Sequence, residues 1–200
     1  MTTPLTIRIA RPQDARALAA IYRPYVEQTA ISFECEPPTA TAMLRRMEDV
    51  LTRYPYLVAE RGSDLLGYAY AHPFIGRAAY DWSAEMTIYL RMDARRAGIG
   101  GQLYRTLEDL LRDMGVLNLN ACIGYPQTDD DPYLTTNSVD FHKHLGYEWV
   151  GRFHDSGSKF GRWYDMVWME KLLAPHQTPP TPICPFPDLH SPKKDAVMGE

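Results

Sequence analysis

A strand, a glycine-rich turn and a helix follow one another directly between residues 81 and 115. The segment DWSAEMTIYL alternates polar and apolar side chains with the period of two that is typical of a β-strand. GQLYRTLEDLLRDMG then places leucines at helical spacing and ends at a glycine, which favours an amphipathic helix. The first backbone amides of a helix have no partner inside it, and the helix dipole favours negative charge there. The sequence therefore predicts an anion-binding turn within an α/β domain.

The remainder of the chain up to about residue 173 alternates between strand-like and helix-like patterns. LTIRIA predicts a strand, and two helices follow, one after Pro12 and one over residues 39–54. YLVAE and LLGYAYAHPF predict two strands that lead into the strand described above. VLNLNACIG predicts a further strand, SVDFHKHLG a short helix, and YEWVGRFHDSG with FGRWYDMVWMEK a closing hairpin. This order predicts one α/β domain over residues 5–173, with a mixed, mostly antiparallel sheet flanked by helices.

The last part of the chain has a different composition. Seven of the 16 prolines lie between Pro175 and Pro192, and few side chains there are able to build a core. Proline favours extended backbone, so residues 174–200 are predicted to form a flexible, proline-rich tail. The alternative is a proline-rich binding segment in TPPTP or CPFP.

Composition and charge exclude several classes of function. The chain has 21 basic and 25 acidic residues and a net charge of -4, without the basic excess of nonspecific nucleic-acid binders. It has no run of about 18 apolar residues, and its first residues do not resemble a signal peptide. Three cysteines suggest no disulfide framework, and no metal-ligand spacing is present. We expect a cytoplasmic protein without a metal, nucleic-acid or membrane partner.

The glycine turn carries a resemblance to a known family. It contains Arg95-Arg96-Ala97-Gly98-Ile99-Gly100 and lacks the residues of a P-loop and the glycine spacing of a dinucleotide fingerprint. It resembles the cofactor motif of the GNAT superfamily of acetyl-CoA-dependent N-acetyltransferases. Segments across residues 5–171 are similar to phosphinothricin acetyltransferases: ISFECEPPT, RYPYLVAE, GYAYA, RAAYDWSAEMTIYL, RRAGIGGQLY, NSVDFHKHLGY and KFGRWYDMVW. The resemblance implies a single GNAT-type domain.

The resemblance also implies where acetyl-CoA binds. The diphosphate of the cofactor is expected on backbone amides of the turn, which comprises Arg95, Arg96, Ala97, Gly98, Ile99, Gly100 and Gly101. The pantetheine arm is expected along main-chain groups of the preceding strand, at Ile88, Tyr89 and Leu90. Asn137, before the last helix, matches another cofactor contact, with a helix-cap or turn role as the alternative.

Two residues are the candidate catalytic groups. Glu85 shares the polar face of its strand with hydroxyl side chains, and the matching glutamate of the resembled family acts as a general base. A partly dry cleft raises the pKa of a carboxyl group toward the range useful for deprotonating an ammonium. His142 matches the position at which many superfamily members carry a tyrosine that protonates the leaving thiolate and at which the resembled subfamily tends to have histidine. His142 is therefore a candidate acid or proton carrier, with a packed, hydrogen-bonded histidine as the alternative.

The acceptor site is also inferred from the resemblance. Arg77 and Tyr80 match residues that hold the acidic groups of phosphinothricin, and Phe33 matches an aromatic residue lining the same site. Two features depart from that pattern. Ile75 occupies a position that is basic in the herbicide-resistance enzymes, and the loop over residues 128–136 is longer and acidic.

These observations predict an acyltransferase that acetylates the primary amine of a small, amino-acid-like acceptor of the phosphinothricin or methionine sulfoximine type. The predicted mechanism is direct transfer from acetyl-CoA with Glu85 as base, in a homodimer that requires no metal. The alternatives are an N-acetyltransferase for another small amine or a protein N-terminus, and a noncatalytic acetyl-CoA-binding module.

Overall fold

The computed structural model describes residues 3–189, which form seven strands and four α-helices. The strands are β1 Leu5–Ile9, β2 Tyr56–Arg61, β3 Asp64–Pro73, β4 Ser83–Leu90, β5 Asn118–Tyr125, β6 Glu148–Lys159 and β7 Arg162–Leu172. The helices are α1 Ala15–Gln28, α2 Ala40–Leu51, α3 Ile99–Met114 and α4 Asn137–His144. The order of strands and helices is the one that the sequence predicts, and short 3-10 turns are added between them.

All seven strands belong to one sheet, in the order β1-β2-β3-β4-β5-β7-β6. Neighbouring strands are antiparallel except β4 and β5, which are parallel. The predicted mixed, mostly antiparallel sheet is therefore confirmed. Two buried clusters cover its faces: α1 and α2 contribute to one, and α3 and α4 contribute to the other.

Local sequence explains why the helices form where they do. Thr39 caps α2 by accepting a hydrogen bond from the amide of Ala42 at 3.1 Å, which satisfies one of the free amides of the first turn. In α3, three leucines at helical spacing are completely buried against the sheet: Leu103, Leu107 and Leu111. Gly115 ends α3 with a φ of 89°, a conformation that favours glycine. The leucine stripe thus fixes α3 across the sheet with its first turn beside the end of β4.

The pairing between β4 and β5 is short. The two strands pair only at Ser83–Asn118, Ala84–Leu119 and Glu85–Asn120, whereas β4 stays paired with β3 as far as Leu90. β5 meanwhile pairs with β7 along its whole length up to Tyr125. The two central strands therefore diverge after Glu85, and a gap opens in the middle of the sheet.

The segment after β7 contacts the domain instead of leaving it. The carbonyl of Thr181 accepts a hydrogen bond from the Trp82 indole at 2.7 Å, and the amide of Cys184 donates to the carbonyl of Met114. Phe186 and Leu189 pack against the cluster that contains α3. These contacts hold part of the segment predicted to be flexible, because two apolar anchors lie among its prolines. Residues 190–200 of that prediction lie outside the described residues.

Candidate active site

A cleft of about 280 Å³ occupies the gap between the diverging strands. Backbone and side chains of β4 and β5 form its walls, the segment between α1 and α2 closes one side, and α3 and α4 contribute the other. Five residues expected in the site line this cleft together: Phe33, Glu85, Ile88, Tyr89 and His142. The structure thus brings the candidate base, the aromatic acceptor residue and the candidate acid to one place.

Glu85 lies at the point where β4 leaves β5. Its side chain is 20% exposed, and burial raises the pKa of its carboxyl group above the ordinary value. His72, the register partner of Glu85 on β3, partly opposes this shift, with its Nε2 atom 3.8 Å from Oε1 of the carboxylate. A carboxylate with a raised pKa in a partly dry cleft is suited to accept a proton from an ammonium.

Backbone groups along β4 face the gap at every second residue. The carbonyl of Trp82 accepts from the amide of Asn118 on β5, so the even-numbered residues of β4 direct their backbone groups toward β5. Beyond Glu85, no strand within residues 3–189 pairs with them on this side, and the backbone groups of Ile88 therefore face the cleft. Those of Tyr89 face β3 instead, because backbone groups alternate along a strand and the amide of Arg91, two residues further on, donates to the carbonyl of Leu66 on β3.

Tyr25 occupies the far end of this open edge. Its hydroxyl donates to the carbonyl of Leu90 at 2.6 Å and accepts from the amide of Leu90 at 3.2 Å. The same oxygen accepts from Nε of Arg95 at 3.3 Å, and the Arg95 guanidinium lies 4.9 Å from the centre of the Tyr25 ring. The backbone of Leu90, expected to contact the cofactor, is thus already bonded within the protein. Of the three residues expected to pair with the pantetheine arm, Ile88 is therefore the one whose main chain is open to the cleft.

The glycine turn presents free amides at the start of α3. Arg96 and Gly98 both have positive φ values, 62° and 76°, and Gly98 lies at the N-cap without a side-chain cap. The first hydrogen bond back into this turn comes from the amide of Gln102, which donates to the carbonyl of Gly98. The amides of residues 99–101 precede it and point out of the helix end, where they are able to bind an anion.

The position of Gly100 has little room for a side chain. A Cβ atom there would lie 3.1 Å from the Phe141 ring and 3.4 Å from the Ile88 side chain. The glycine therefore allows α3, α4 and β4 to approach one another at the mouth of the cleft. The side chains of Arg95, Arg96 and Ala97 are exposed beside this turn.

His142 is held in one protonation state. Its Nδ1 atom lies 2.7 Å from the carbonyl oxygen of Ser138 and must donate to it, so Nε2 accepts from the Tyr104 hydroxyl at 3.0 Å. Burial lowers the pKa of His142 to about 4. The imidazole is therefore neutral near pH 7, and its one ring proton is directed away from Tyr104. Tyr104 and His142 both line the cleft.

The remaining expected site residues do not line the cleft. Arg77 and Tyr80 lie in the exposed segment between β3 and β4, and Tyr80 packs against Phe74. Asn137 begins α4 with an exposed side chain that makes no hydrogen bond within residues 3–189. Its alternative role as a side-chain cap is therefore not seen. Ile75 is exposed in the same segment as Arg77. The roles of Arg77, Tyr80 and Asn137 stay predictions.

Sequence reasoning missed three residues that shape the site. Tyr25 and Tyr104 follow helical spacing and were indistinguishable from core aromatics, and His72 lies on a strand without a motif. The available signal was register: in an antiparallel pairing of β3 with β4, His72 falls opposite Glu85. A predicted hairpin could therefore have placed His72 next to the candidate base.

Lys159 fixes the segment that carries Phe33. Its side chain is 6% exposed, and its ammonium donates to the carbonyl of Ser32 at 2.6 Å. The Phe33 ring meanwhile lies against Gly157, where an added Cβ atom would overlap it. The tip of the β6–β7 hairpin thus holds one wall of the cleft, and burial lowers the pKa of Lys159.

Replacing Lys159 with methionine should loosen this wall. We expect KM for the acceptor to rise about three- to tenfold, the range set by losing one charge-assisted hydrogen bond. KM for acetyl-CoA should not change, because the cofactor turn is remote from this contact. Steady-state kinetics with each substrate varied separately would check this, with the exposed Lys143→Met as control. An unchanged acceptor KM would contradict the positioning role.

No group of three or more His, Cys, Asp or Glu side chains within residues 3–189 is arranged to hold a metal ion. No helix in the same range is long and apolar enough to cross a membrane.

Comparison with known proteins agrees with the architecture. Residues 7–168 match the family described as the acetyltransferase (GNAT) domain. The chain belongs to this family. The GNAT match spans all seven strands except the first two residues of β1 and the last four of β7, and it includes the diverging strands, the glycine turn and α4.

Named GNAT relatives are similar in sequence to this protein over most of its chain. A phosphinothricin N-acetyltransferase of Streptomyces viridochromogenes is 36% identical over 183 residues, which cover 91% of this chain and 94% of the relative. An L-methionine sulfoximine/L-methionine sulfone acetyltransferase of Pseudomonas aeruginosa is 30% identical and covers 88% of this chain and 98% of the relative.

Solved GNAT structures have the same fold. A phosphinothricin acetyltransferase from Sinorhizobium meliloti in complex with acetyl-CoA has a TM-score of 0.79 and 32% identity, covering 96% of this chain and 100% of that structure. A putative acetyltransferase from Salmonella typhimurium with its cofactor acetyl-CoA has a TM-score of 0.79 and 27% identity, covering 88% and 97%.

Proposed function

We propose that the protein transfers the acetyl group of acetyl-CoA directly to the primary amine of a small, amino-acid-like acceptor. The observation that carries this proposal is the position of Glu85, a carboxylate with a raised pKa at the start of the open β4 edge. The free amides of α3 lie at the other end of the same edge. Relatives named for phosphinothricin and methionine sulfoximine support this acceptor class.

Acetyl-CoA would lie along the open edge of β4. The amides of residues 99–101 would hold its diphosphate, with Arg95 and Arg96 adding positive charge beside the turn. The backbone of Ile88 would pair with the pantetheine arm, which leads the thioester toward Glu85. Tyr25 would hold Leu90 in place at the end of that edge.

Glu85 would act as the general base in this mechanism. Its carboxylate takes a proton from the acceptor ammonium, and the freed amine attacks the thioester carbonyl carbon. The new C–N bond forms as the C–S bond breaks, coenzyme A leaves as a thiolate, and the nitrogen releases its second proton to give the neutral amide, which balances the proton that the thiolate takes up. An acyl-cysteine is not used: although Cys122 reaches solvent in the cleft, loss of water around its thiol and the charge of Glu85 raise its pKa to about 12.

The leaving thiolate needs a proton, and His142 is our candidate carrier. Neutral His142 has no proton on Nε2, the atom that faces Tyr104, and its Nδ1 proton is bonded to the Ser138 carbonyl. We therefore assign proton donation to the Tyr104 hydroxyl, which would turn its proton from Nε2 of His142 to the thiolate sulfur and regain one from the new amide nitrogen, while His142 positions the hydroxyl and relays that proton. Burial keeps the pKa of Tyr104 well above its usual range, so its hydroxyl stays protonated until a base is formed.

Arg77, Tyr80 and Phe33 remain our candidates for acceptor binding, and a homodimer remains the proposed assembly. Large apolar side chains are exposed on the β6–β7 hairpin, which favours contact with a second copy: Trp149, Val150, Phe153 and Trp163. The protein has three free cysteines, which fit a reducing compartment, and we propose that it is located in the cytoplasm.

The test is coenzyme A release from acetyl-CoA in the presence of a panel of amines, with the product identified by mass spectrometry. The panel contains phosphinothricin, methionine sulfoximine, methionine sulfone, polyamines and short peptides. We expect turnover with an amino-acid-like member and a mass increase of one acetyl group. Turnover only with peptides or polyamines would contradict the acceptor class, and binding of acetyl-CoA without turnover of any amine would favour a noncatalytic module.

A further inference from the structure

The proposed transfer leaves one proton on the enzyme in every turnover. The acceptor ammonium loses two protons: one balances the proton that the coenzyme A thiolate takes up, and the other stays on the carboxyl group of Glu85. Glu85 must release this proton before it is able to act as a base again. In the proposed arrangement the acceptor and the acetyl-CoA arm fill the cleft beside Glu85, so the proton needs a path on the other side of this carboxyl group.

His72 lies on that side of Glu85. The two residues are register partners on β3 and β4, and Nε2 of the imidazole is 3.8 Å from Oε1 of the carboxylate. His72 does not line the cleft but a second space of about 370 Å³, on the face of the sheet that α1 and α2 cover. Its side chain is 33% exposed. The imidazole thus approaches the candidate base at one atom and also reaches solvent.

The hydrogen bonding of His72 leaves the nitrogen next to Glu85 free. Nδ1 of the ring lies 3.1 Å from the carbonyl oxygen of Pro73, and because a carbonyl oxygen only accepts, Nδ1 carries the proton of the neutral ring. Nε2 therefore has a lone pair. Catalytic hydrogen bonds are often long without substrate and shorten when it binds. Nε2 is therefore placed to accept a proton from the Glu85 carboxyl group.

The other titratable groups near Glu85 in the cleft are unable to accept this proton. The charge of Glu85 acts on Tyr104 and Cys122, and burial raises the pKa of Cys122 to about 12 and that of Tyr104 well above its usual range. Both are therefore protonated near pH 7. His142 also lines the cleft, but its Nε2 atom already accepts from Tyr104, and burial lowers its pKa to about 4. Among residues 3–189, a proton on Glu85 thus has no acceptor on the cleft side.

The groups around His72 do not compete for the proton either. Arg46 donates to both carboxylate oxygens of Glu34, at 2.7 and 3.0 Å, so these two charges are paired. Burial raises the pKa values of the tyrosines that line the same space above 10, and their hydroxyls stay protonated: Tyr22, Tyr56, Tyr68, Tyr70 and Tyr89. Within the described range of the chain, the imidazole of His72 is therefore the base that faces Glu85.

We propose that His72 is the proton outlet of the active site: Nε2 accepts the proton of the Glu85 carboxyl group, and the imidazolium formed releases a proton to solvent water. Glu85 returns to the carboxylate, His72 returns to the neutral ring, and one proton leaves for each acetyl group transferred. His72 touches neither the acceptor nor the thioester and acts through Glu85, so it is a relay residue. The proposal rests on the proposed function, in which Glu85 is the base.

The test separates the first turnover of His72→Gln from the later ones. Glu85 begins the first turnover as a carboxylate, so rapid-mixing measurements of coenzyme A release should give a first-turnover rate within about twofold of the native protein. Later turnovers require that Glu85 lose its proton, and steady-state kcat should fall about 10²-fold, the lower end of the range for acid–base catalysis. Because the proton leaves after transfer, KM for the acceptor should fall with kcat, and kcat/KM should stay within about twofold.

A small base in solution gives a second readout. Imidazole added to His72→Ala should raise steady-state kcat in proportion to its concentration, because it takes the proton from Glu85 in place of the missing ring. It should not change kcat of the native protein. The measurements use the panel amine with the highest turnover and a pH above the acid limb of each variant, because the charge of His72 opposes the raised pKa of Glu85. His144→Gln, at an exposed histidine of α4, is the matched control.

Two results overturn the relay while the proposed function still holds. In the first, the first turnover of His72→Gln slows as much as the later ones, which means that His72 orients Glu85 during transfer. In the second, His72→Gln and His72→Ala keep the native steady-state rate, with thermal unfolding showing that both are folded, which means that the proton leaves by another path. A native kcat in Glu85→Gln, or no acetylation of any panel amine, contradicts the proposed function itself, and the relay falls with it.

Discussion

Replacing Glu85 with glutamine should lower kcat for acetyl transfer about 10²- to 10⁴-fold while KM for acetyl-CoA stays within about twofold. Glutamine keeps the size and the position of the side chain at the end of the β4–β5 pairing, but it cannot accept the ammonium proton. The cofactor turn lies at the opposite end of the open edge and is unaffected. Coenzyme A release measured with each substrate varied separately would show the kcat effect.

The pH profile gives this prediction a second readout. A general base works only when deprotonated, so activity falls as pH decreases through its pKa. Because burial raises the pKa of Glu85, this acid limb should lie above the usual range of a glutamate and should vanish in Glu85→Gln. Glu48→Gln, at an exposed glutamate of α2, is the matched control and should retain the native profile. A Glu85→Gln enzyme with native kcat would remove Glu85 as the essential base.

Replacing Gly67 with alanine should destabilise the fold by about 2–4 kcal/mol. Gly67 of β3 faces Leu90 of β4, and an added Cβ atom would lie 2.8 Å from the Tyr89 carbonyl oxygen and 3.1 Å from the Leu90 Cα atom while overlapping the Leu90 side chain. Two of these neighbours are backbone atoms in the middle of the sheet. Relief therefore requires that β3 and β4 separate, which breaks ladder hydrogen bonds and shifts Leu90 away from Tyr25.

Urea unfolding would measure the effect of Gly67→Ala. Gly151→Ala is the matched control, because Gly151 also lies in a strand, its φ is not in the left-handed region and a Cβ atom there would meet nothing within 4 Å. The control should change the free energy of unfolding by less than about 0.5 kcal/mol. A Gly67→Ala protein as stable as the control would show that β3 and β4 have room to adjust.

Sequence periodicity was enough to predict the order of strands and helices. Alternation along β4 and the leucine stripe of α3 are local patterns, and each identifies its own element. Part of the cleft lining was predicted, because Glu85 and His142 lie in sequence motifs that resemble those of a known family. The protonation state of the His142 imidazole was not predictable, because it depends on hydrogen bonds to Ser138 and to Tyr104, which lies on a different helix.

Features that depend on distant parts of the chain were beyond sequence reasoning. The stacked rings of Tyr56 and Tyr70 need β2 and β3 in register, which places the two residues opposite each other. The contacts of the proline-rich segment depend on two apolar residues, Phe186 and Leu189, whose partners lie far away in sequence. Average composition over residues 174–200 concealed both anchors.

An unpaired strand edge usually lies at the rim of a sheet, where it invites edge-to-edge aggregation with other chains. The divergence of β4 from β5 creates such an edge in the middle of this sheet, with β1–β3 on one side and β5–β7 on the other. Another polypeptide cannot readily align along it, whereas a slender extended molecule can enter from one end. The unpaired backbone groups of β4 are therefore accessible to a small, extended ligand but not to a strand of another chain.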